Sequence, residues 1–287
     1  MKKLKIVSLI LVAAFTMLAG LSCINKQGYD SPPGYDLNKP VKYFMPQSLK
    51  EISGIAFHHS KGDSIYAEQD EEGKVYYFKL GDKHVSFSKF GQRGDYEDIR
   101  IMNGRVIMLR SDGVLFTFPF NQVRNPEIPN VQQWDGLLPA GEYEGLYGDE
   151  KTSQLYVLCK HCNDEKTSKI GGGFIFKVSP NGAIKQSGEF SINIREIEAQ
   201  LGIKKVDFHP SALAKNLRTN EWYILSSVNK ILVVADAGWK VKAVYPINPS
   251  LFIQPEGIAF DSQHNLYISN EGDKITPGTI YKFNYKK

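Results

Sequence analysis

Five short segments of this chain share one grammar, and their spacing constrains the fold more than any other feature. They are Ile52-Ser53-Gly54-Ile55-Ala56-Phe57, Tyr96-Glu97-Asp98-Ile99-Arg100-Ile101, Tyr143-Glu144-Gly145-Leu146-Tyr147-Gly148, Pro210-Ser211-Ala212-Leu213-Ala214 and Pro255-Glu256-Gly257-Ile258-Ala259-Phe260. Counted from the apolar residue after the small one, the steps Ile55 to Ile99, Leu146, Leu213 and Ile258 are 44, 47, 67 and 45 residues. Periods in the forties with strand-like content are the signature of propeller blades.

Each repeat continues alike. A second apolar strand follows a short turn (Ile65-Tyr66-Ala67, Val106-Ile107-Met108-Leu109, Leu155-Tyr156-Val157-Leu158, Trp222-Tyr223-Ile224-Leu225, Leu266-Tyr267-Ile268), then a polar loop and a third strand. These runs are rich in β-branched and aromatic residues and bounded by Gly, Asp and Asn, as strands and turns require. A more polar fourth strand closes four repeats, but the fifth stops at its third. The strand Val41-Lys42-Tyr43-Phe44-Met45 precedes the first repeat without a partner of its own. Pairing it with the last repeat closes the ring and removes two sheet edges. The expected fold is therefore all-β, a single propeller of five four-stranded blades over residues 41–287. The long step holds Ile194 to Gly202, which reads as one short helix and is too short for a blade. Six blades are the alternative.

The first residues read as an export signal. Lys2, Lys3 and Lys5 precede the apolar run Ile6 to Leu18, and Ala19-Gly20-Leu21-Ser22 leads to Cys23. A basic head, a short apolar stretch and small residues before a cut describe a secretory signal. The Cys at its end makes residues 1–22 a lipoprotein signal and Cys23 the lipidated residue. Gly20 departs from the usual Leu, so ordinary cleavage is the alternative. Residues 23–40 are poor in apolar side chains and read as a tether. Cleavage removes three of the 35 basic residues and none of the 31 acids, which leaves the mature chain near neutral. No basic stripe suggests nucleic acid. The expected setting is the cell envelope, with the membrane reached through the lipid and the protein a monomer.

Two cysteines remain, in Cys159-Lys160-His161-Cys162. An oxidising compartment permits a local disulfide; paired or free thiols and a metal or redox role are the other readings. Zinc lacks two further ligands at suitable spacing.

In a propeller the innermost strands line the axis, so equivalent repeat positions form rings. The residue before the small one gives Ser53, Glu97, Glu144, Ser211 and Glu256. Carboxylates converging on one narrow space repel unless they are protonated, paired with a base or holding a cation. Glu97, Glu144 and Glu256 are thus the candidate metal ligands, with calcium the hard, oxygen-seeking ion that suits them. Glutamates that only tie blades together are the competing reading. A second ring, from loops after the second strand, contains Asp70, Asp112, His161 or Asn163, Asn229, and Asn270 with Glu271. His209, beside Pro210 and Ser211, points to the same mouth. Asp70, Asp112, His209, Ser211, Asn270 and Glu271 are the candidate ligand-binding residues. No Gly-x-Ser-x-Gly or His-Glu-x-x-His motif is present, and no catalytic residue is assigned.

Taken together, Glu51-Ile52-Ser53-Gly54-Ile55, Gly94-Asp95-Tyr96-Glu97-Asp98-Ile99, Glu142-Tyr143-Glu144-Gly145-Leu146, Phe208-His209-Pro210-Ser211-Ala212-Leu213 and Gln254-Pro255-Glu256-Gly257-Ile258 resemble the SdiA-regulated family of bacterial envelope proteins. That family is distantly similar to NHL-repeat and gluconolactonase-like propellers, and the likeness spans about residues 40–285. The resemblance implies a five-bladed propeller and a calcium site at the channel, and it implies no particular reaction. The expected function is binding of a cation and a small ligand or partner at the channel mouth. A metal-dependent hydrolase, lactonase-like or phosphoesterase-like, and a scaffold for protein partners are the alternatives.

Overall fold

The computed structural model describes residues 28–162 and 170–287. The expected signal and Cys23 lie outside the described residues, as does Asn163. Strand β1 (Val41–Phe44) comes first and pairs last. Blade 1 is β2 (Ile52–Ala56), β3 (Ile65–Gln69), β4 (Lys74–Phe78) and β5 (Ser86–Lys89). Blade 2 is β6 (Tyr96–Met102), β7 (Arg105–Arg110), β8 (Leu115–Pro119) and β9 (Gln132–Trp134). Blade 3 is β10 (Gly141–Asp149), β11 (Gln154–Cys162), β12 (Ile170–Val178) and β13 (Ile184–Asn193). Helix α1 (Ile194–Leu201) follows. Blade 4 is β14 (Ala212–Asn216), β15 (Glu221–Ser226), β16 (Ile231–Ala235) and β17 (Val241–Pro246). Blade 5 is β18 (Pro255–Phe260), β19 (Leu266–Asn270) and β20 (Thr279–Phe283), completed by β1.

All five sheets are four-stranded and antiparallel, so the repeat unit is the blade. β1 lies antiparallel on β20, with Val41 opposite Lys282 and Phe44 opposite Thr279. The first and last segments of the propeller therefore share one blade, and ring closure is held by backbone hydrogen bonds as well as packing.

Five apolar clusters fill the five interfaces between adjacent blades. Side-chain alternation explains why the middle strands read as unbroken apolar runs. On β15, Trp222 and Ile224 face blade 3 while Tyr223 and Leu225 face blade 5. A strand buried on both faces has no polar side to show. Tyr35 and Leu37, inside the segment expected to be a tether, are buried in the interface of blades 4 and 5. The Tyr35 hydroxyl donates to the His264 carbonyl at 2.7 Å.

The long step between repeats three and four is taken up by the ten-residue β13 and by α1. Asn193 caps the helix by accepting from the Arg195 N–H at 3.0 Å, and Gly202 ends it at φ 67°. Asn is among the preferred N-caps, and a left-handed glycine is a usual stop. Ile194 and Ile197 bury against blade 4, and the Glu196 carboxylate accepts from the Val241 N–H on the outer strand β17. The helix thus fills the wedge where blades 3 and 4 diverge.

Candidate functional site

Four of the five repeats keep a small residue (Gly54, Gly145, Ala212, Gly257), the second carrying Asp98, because the inner strands crowd the axis. A Cβ on Gly54 would lie 2.4 Å from Asp98 Oδ1 and 2.6 Å from its Cα. One residue further on, the buried Ile55, Ile99, Leu146, Leu213 and Ile258 turn their carbonyls inward. Arg100 reaches from β6 into the middle of this ring. Its Nε donates to Leu146 O, Nη1 to Ile55 O (2.6 Å) and Ile99 O (3.1 Å), and Nη2 to Leu213 O (3.0 Å) and Ile258 O (3.2 Å). A guanidinium has five N–H donors in one plane, and here each is matched to a different blade. Asp98 supplies the counter-charge, with Oδ2 3.4 Å from Nη2. Asp98 also accepts from the N–H groups of Ile99 (2.8 Å) and Leu146 (2.6 Å). Burial still outweighs these partners and pushes its carboxyl up to about 6. Arg100 therefore closes the channel at its waist and divides it into two mouths.

The mouth at the start of the inner strands is acidic. Glu144 is buried, with Glu97 and Glu256 partly buried beside it. Burial and the neighbouring Glu144 carboxylate raise the Glu97 carboxyl. Glu144 is itself raised by burial, against the pull of Lys160. Lys160 Nζ lies 2.6 Å from Glu144 Oε1 and 2.9 Å from Glu142 Oε1. Burial opposes its charge, but these two carboxylates hold the ammonium above its ordinary range. Burial, with Glu144 nearby, pushes Glu256 up to about 7. Glu271 reaches about 8 through burial, Glu256 and Asp70. Asp70 reaches about 6 through burial, Glu51 and Glu71.

Around this mouth several buried polar atoms have no partner within the described residues. They are Glu68 Oε2, Asp70 Oδ1, His209 Nδ1 and both amide atoms of Asn270. Such groups cost free energy unless something outside the chain satisfies them. Glu68, at the end of β3, was not singled out by the repeat pattern. Its other oxygen accepts from the Gly54 N–H, and burial raises its carboxyl well above the usual range. Asp70 and Glu271 contribute to that rise. Three of these residues, Glu68, Asp70 and Asn270, belong to adjacent blades 1 and 5.

Among the described residues, no group of three His, Cys, Asp or Glu side chains is arranged to hold a metal ion. That holds for the expected set of Glu97, Glu144 and Glu256, and equally for Glu68, Asp70 and Glu271. Within the glutamate set, Glu144 already has a cationic partner in Lys160. Asp112 is exposed and held by both Arg110 Nε (2.9 Å) and Nη2 (2.8 Å), a local ion pair across its turn. Ser211 serves blade-to-blade attachment: its hydroxyl donates to Pro255 O at 2.9 Å and accepts from Ser227 N–H at 3.2 Å. Ser53 plays the same part toward Glu97 O at 2.9 Å. Asn229 accepts from the His209 N–H at 3.0 Å and the Ser226 hydroxyl at 2.8 Å, so it positions the His209 loop. His209 Nε2 is 3.2 Å from Asp207 Oδ2, and its ring centroid is 4.5 Å from that of His161. His161 Nδ1 in turn is 2.6 Å from Glu142 Oε2. Cys159 and Cys162 are joined by a disulfide that brackets Lys160 and His161, the two basic residues facing the acids.

No protein-family model and no curated protein matches the sequence. Solved structures do match in fold. A glutaminyl cyclase from Myxococcus xanthus is 15% identical with a TM-score of 0.54, over 86% of this chain and 98% of that one. A glucose dehydrogenase is 11% identical with a TM-score of 0.53, over 86% and 100%. A calcium-binding regucalcin from Agrobacterium tumefaciens is 11% identical with a TM-score of 0.50, over 88% and 95%. At such identities the likeness carries the β-propeller fold and leaves the chemistry of the mouth to be argued from its own residues.

Proposed function

We propose that this chain is a cell-envelope lipoprotein of the SdiA-regulated kind, whose propeller binds a cation or a small cationic ligand at the acidic mouth. The observation that carries the reading is the set of unsatisfied buried oxygens on blades 1 and 5: Glu68 Oε2, Asp70 Oδ1 and Asn270 Oδ1. They are hard oxygen donors in a field of carboxyls whose ionisation is held back by burial and mutual repulsion. A cation satisfies both needs at once, because it accepts lone pairs and favours the ionised form. Calcium is the simplest such ion, and the regucalcin neighbour is described as calcium-binding. Glu68, Asp70, Asn270 and Glu271 are the residues that would hold it, drawing closer on binding, since no three acids among the described residues already stand around a cation position. Its chemistry there would be neutralisation and, for a bound ligand, orientation of oxygen-bearing groups.

Calorimetric titration tests the reading, first with calcium and then with a primary ammonium ligand. An Asp70→Asn/Glu271→Gln variant that keeps its fold is expected to bind at least about tenfold more weakly. Absence of binding by both probes in the unaltered protein contradicts the proposal. Anchoring is tested separately, by incorporation of labelled fatty acid that a Cys23→Ala change abolishes.

A further inference from the structure

At the opposite end of the channel, beyond Arg100, lies a second cavity of about 420 Å³. That size falls in the range of small-molecule sites. Its walls include Phe57, Tyr147, Leu217 and Phe260, and its floor is the guanidinium of Arg100. Because Arg100 donates to one carbonyl from each of the five blades, its plane lies across the axis. No N–H remains to point into the cavity, so what faces it is the flat, positively charged face of the group. Such a face stacks on planar rings.

The charges on the rim are unevenly occupied. Every lining acid is already engaged. Asp149 accepts from the N–H groups of Lys151 and Thr152 in its own turn. Glu150 pairs with His59 at 3.2 Å. Asp261 takes Asn265, Tyr267 and two backbone N–H groups. The cations are not consumed in this way. Lys151 is exposed with no ion pair among the described residues, and Lys215 rests only over the Trp222 ring, 4.9 Å from its centroid. The rim also carries the consecutive non-glycine residues His59 and Ser60 at φ 50° and 55°. That costly conformation is held by the Ser60 carbonyl, which accepts from the Ser262 N–H of blade 5 at 2.7 Å. Left-handed non-glycine residues cluster at ligand sites.

We infer that this cavity binds a small planar aromatic anion, its ring stacked on the Arg100 face and between the aromatic walls, its carboxylate or sulfonate toward Lys151 and Lys215. The site is independent of the acidic mouth, since Arg100 separates the two.

Calorimetry on the full chain in detergent tests this with 2-naphthoate as probe. Binding is expected with Kd on the order of 1 mM or tighter. The isosteric cation 2-naphthylmethylammonium and the non-planar cyclohexanecarboxylate are expected to bind more weakly. Lys151→Glu alone, and together with Lys215→Glu, lowers naphthoate affinity, by about tenfold for the pair. Lys151 is exposed and, among the described residues, its side chain makes no hydrogen bond or ion pair, so the single variant is expected to fold and keeps the test decisive. Glu97→Gln leaves naphthoate affinity unchanged. Equal binding of the cation, unchanged affinity in the lysine variants, or no naphthoate binding at tenfold that concentration overturns the inference.

Discussion

Lys160 Nζ sits 2.6 Å from Glu144 Oε1, so the cation nearest the ring of glutamates is supplied by the protein itself. Lys160 and its neighbour His161 project from the end of β11, and the Cys159–Cys162 disulfide fixes the irregular strand end that presents them. The relationship gives Glu144 a cationic partner of its own within the glutamate ring. It moves the search to blades 1 and 5, where oxygens remain unsatisfied.

Loss of the disulfide is expected to cost about 2 kcal/mol, the chain-entropy value for so short a loop. Urea denaturation of a Cys159→Ser/Cys162→Ser variant measures this. Carboxyl NMR of the same variant is expected to show Glu144 titrating higher, because its ammonium partner is no longer held in place.

Arg100 is the structural pin of the ring. Arg100→Met leaves five inward carbonyls and the buried Asp98 without their partner. Breaking a buried pair from one side costs about 3–5 kcal/mol, and the expected result is a large loss of stability by urea denaturation. Pairing the change with Asp98→Asn recovers part of the loss, since the uncompensated charge is gone. Additive losses in the double variant would show that the two residues are not coupled.

Ring closure rests on β1. Removal of residues 1–44 strips blade 5 of its outer strand and exposes β20 as an edge. The shortened chain is expected to aggregate or to melt without cooperativity, as read by size-exclusion chromatography and thermal circular dichroism. Truncation at residue 27 keeps Tyr35, Leu37 and β1, and is expected to melt like the longer protein.

Stability is expected to fall as the solution becomes alkaline. Glu256 and Glu271 titrate at about 7 and 8 when folded, against an ordinary 4.5, so the folded state binds more protons than the unfolded one in that window. The sign of the linkage then makes unfolding easier as pH rises from about 4.5 to 8. With about 1.4 kcal/mol per pKa unit, Glu256→Gln is expected to add roughly 3 kcal/mol at pH 8.5 and less than about 1 kcal/mol at pH 5. Melting curves across this range check both the slope and its loss in the variant.

Much of the fold was legible because its signals are local and repeated. Apolar runs such as Trp222-Tyr223-Ile224-Leu225 mark strands buried on both faces, and Val41–Phe44 stood out as a strand lacking a neighbour. The site was less legible because it depends on which repeat breaks the rule. The position after the recurring Ile or Leu holds Ala56, Arg100, Tyr147, Ala214 and Ala259. One arginine among small and aromatic residues, on the axis, was a signal for the channel plug, but its five bonds need the closed ring to be seen. Glu68 follows the apolar run Ile65-Tyr66-Ala67 of β3 and has no acidic counterpart in the other second strands to align it. Asp112 fits the ring by spacing and is lost to Arg110 two residues earlier, across a turn whose geometry the spacing does not encode. The pairing of Lys160 with Glu144 depends on register shifts in β10 around Tyr143.

A cation at the acidic mouth is tested most directly by carboxyl carbon NMR during a calcium titration. The prediction is that Glu68, Asp70 and Glu271 shift together, with affinity rising between pH 6 and 9 as Asp70 and Glu271 ionise, while Asp112 does not move. Unchanged signals from those three residues at saturating calcium, or shifts confined to exposed acids such as Asp112, would contradict it.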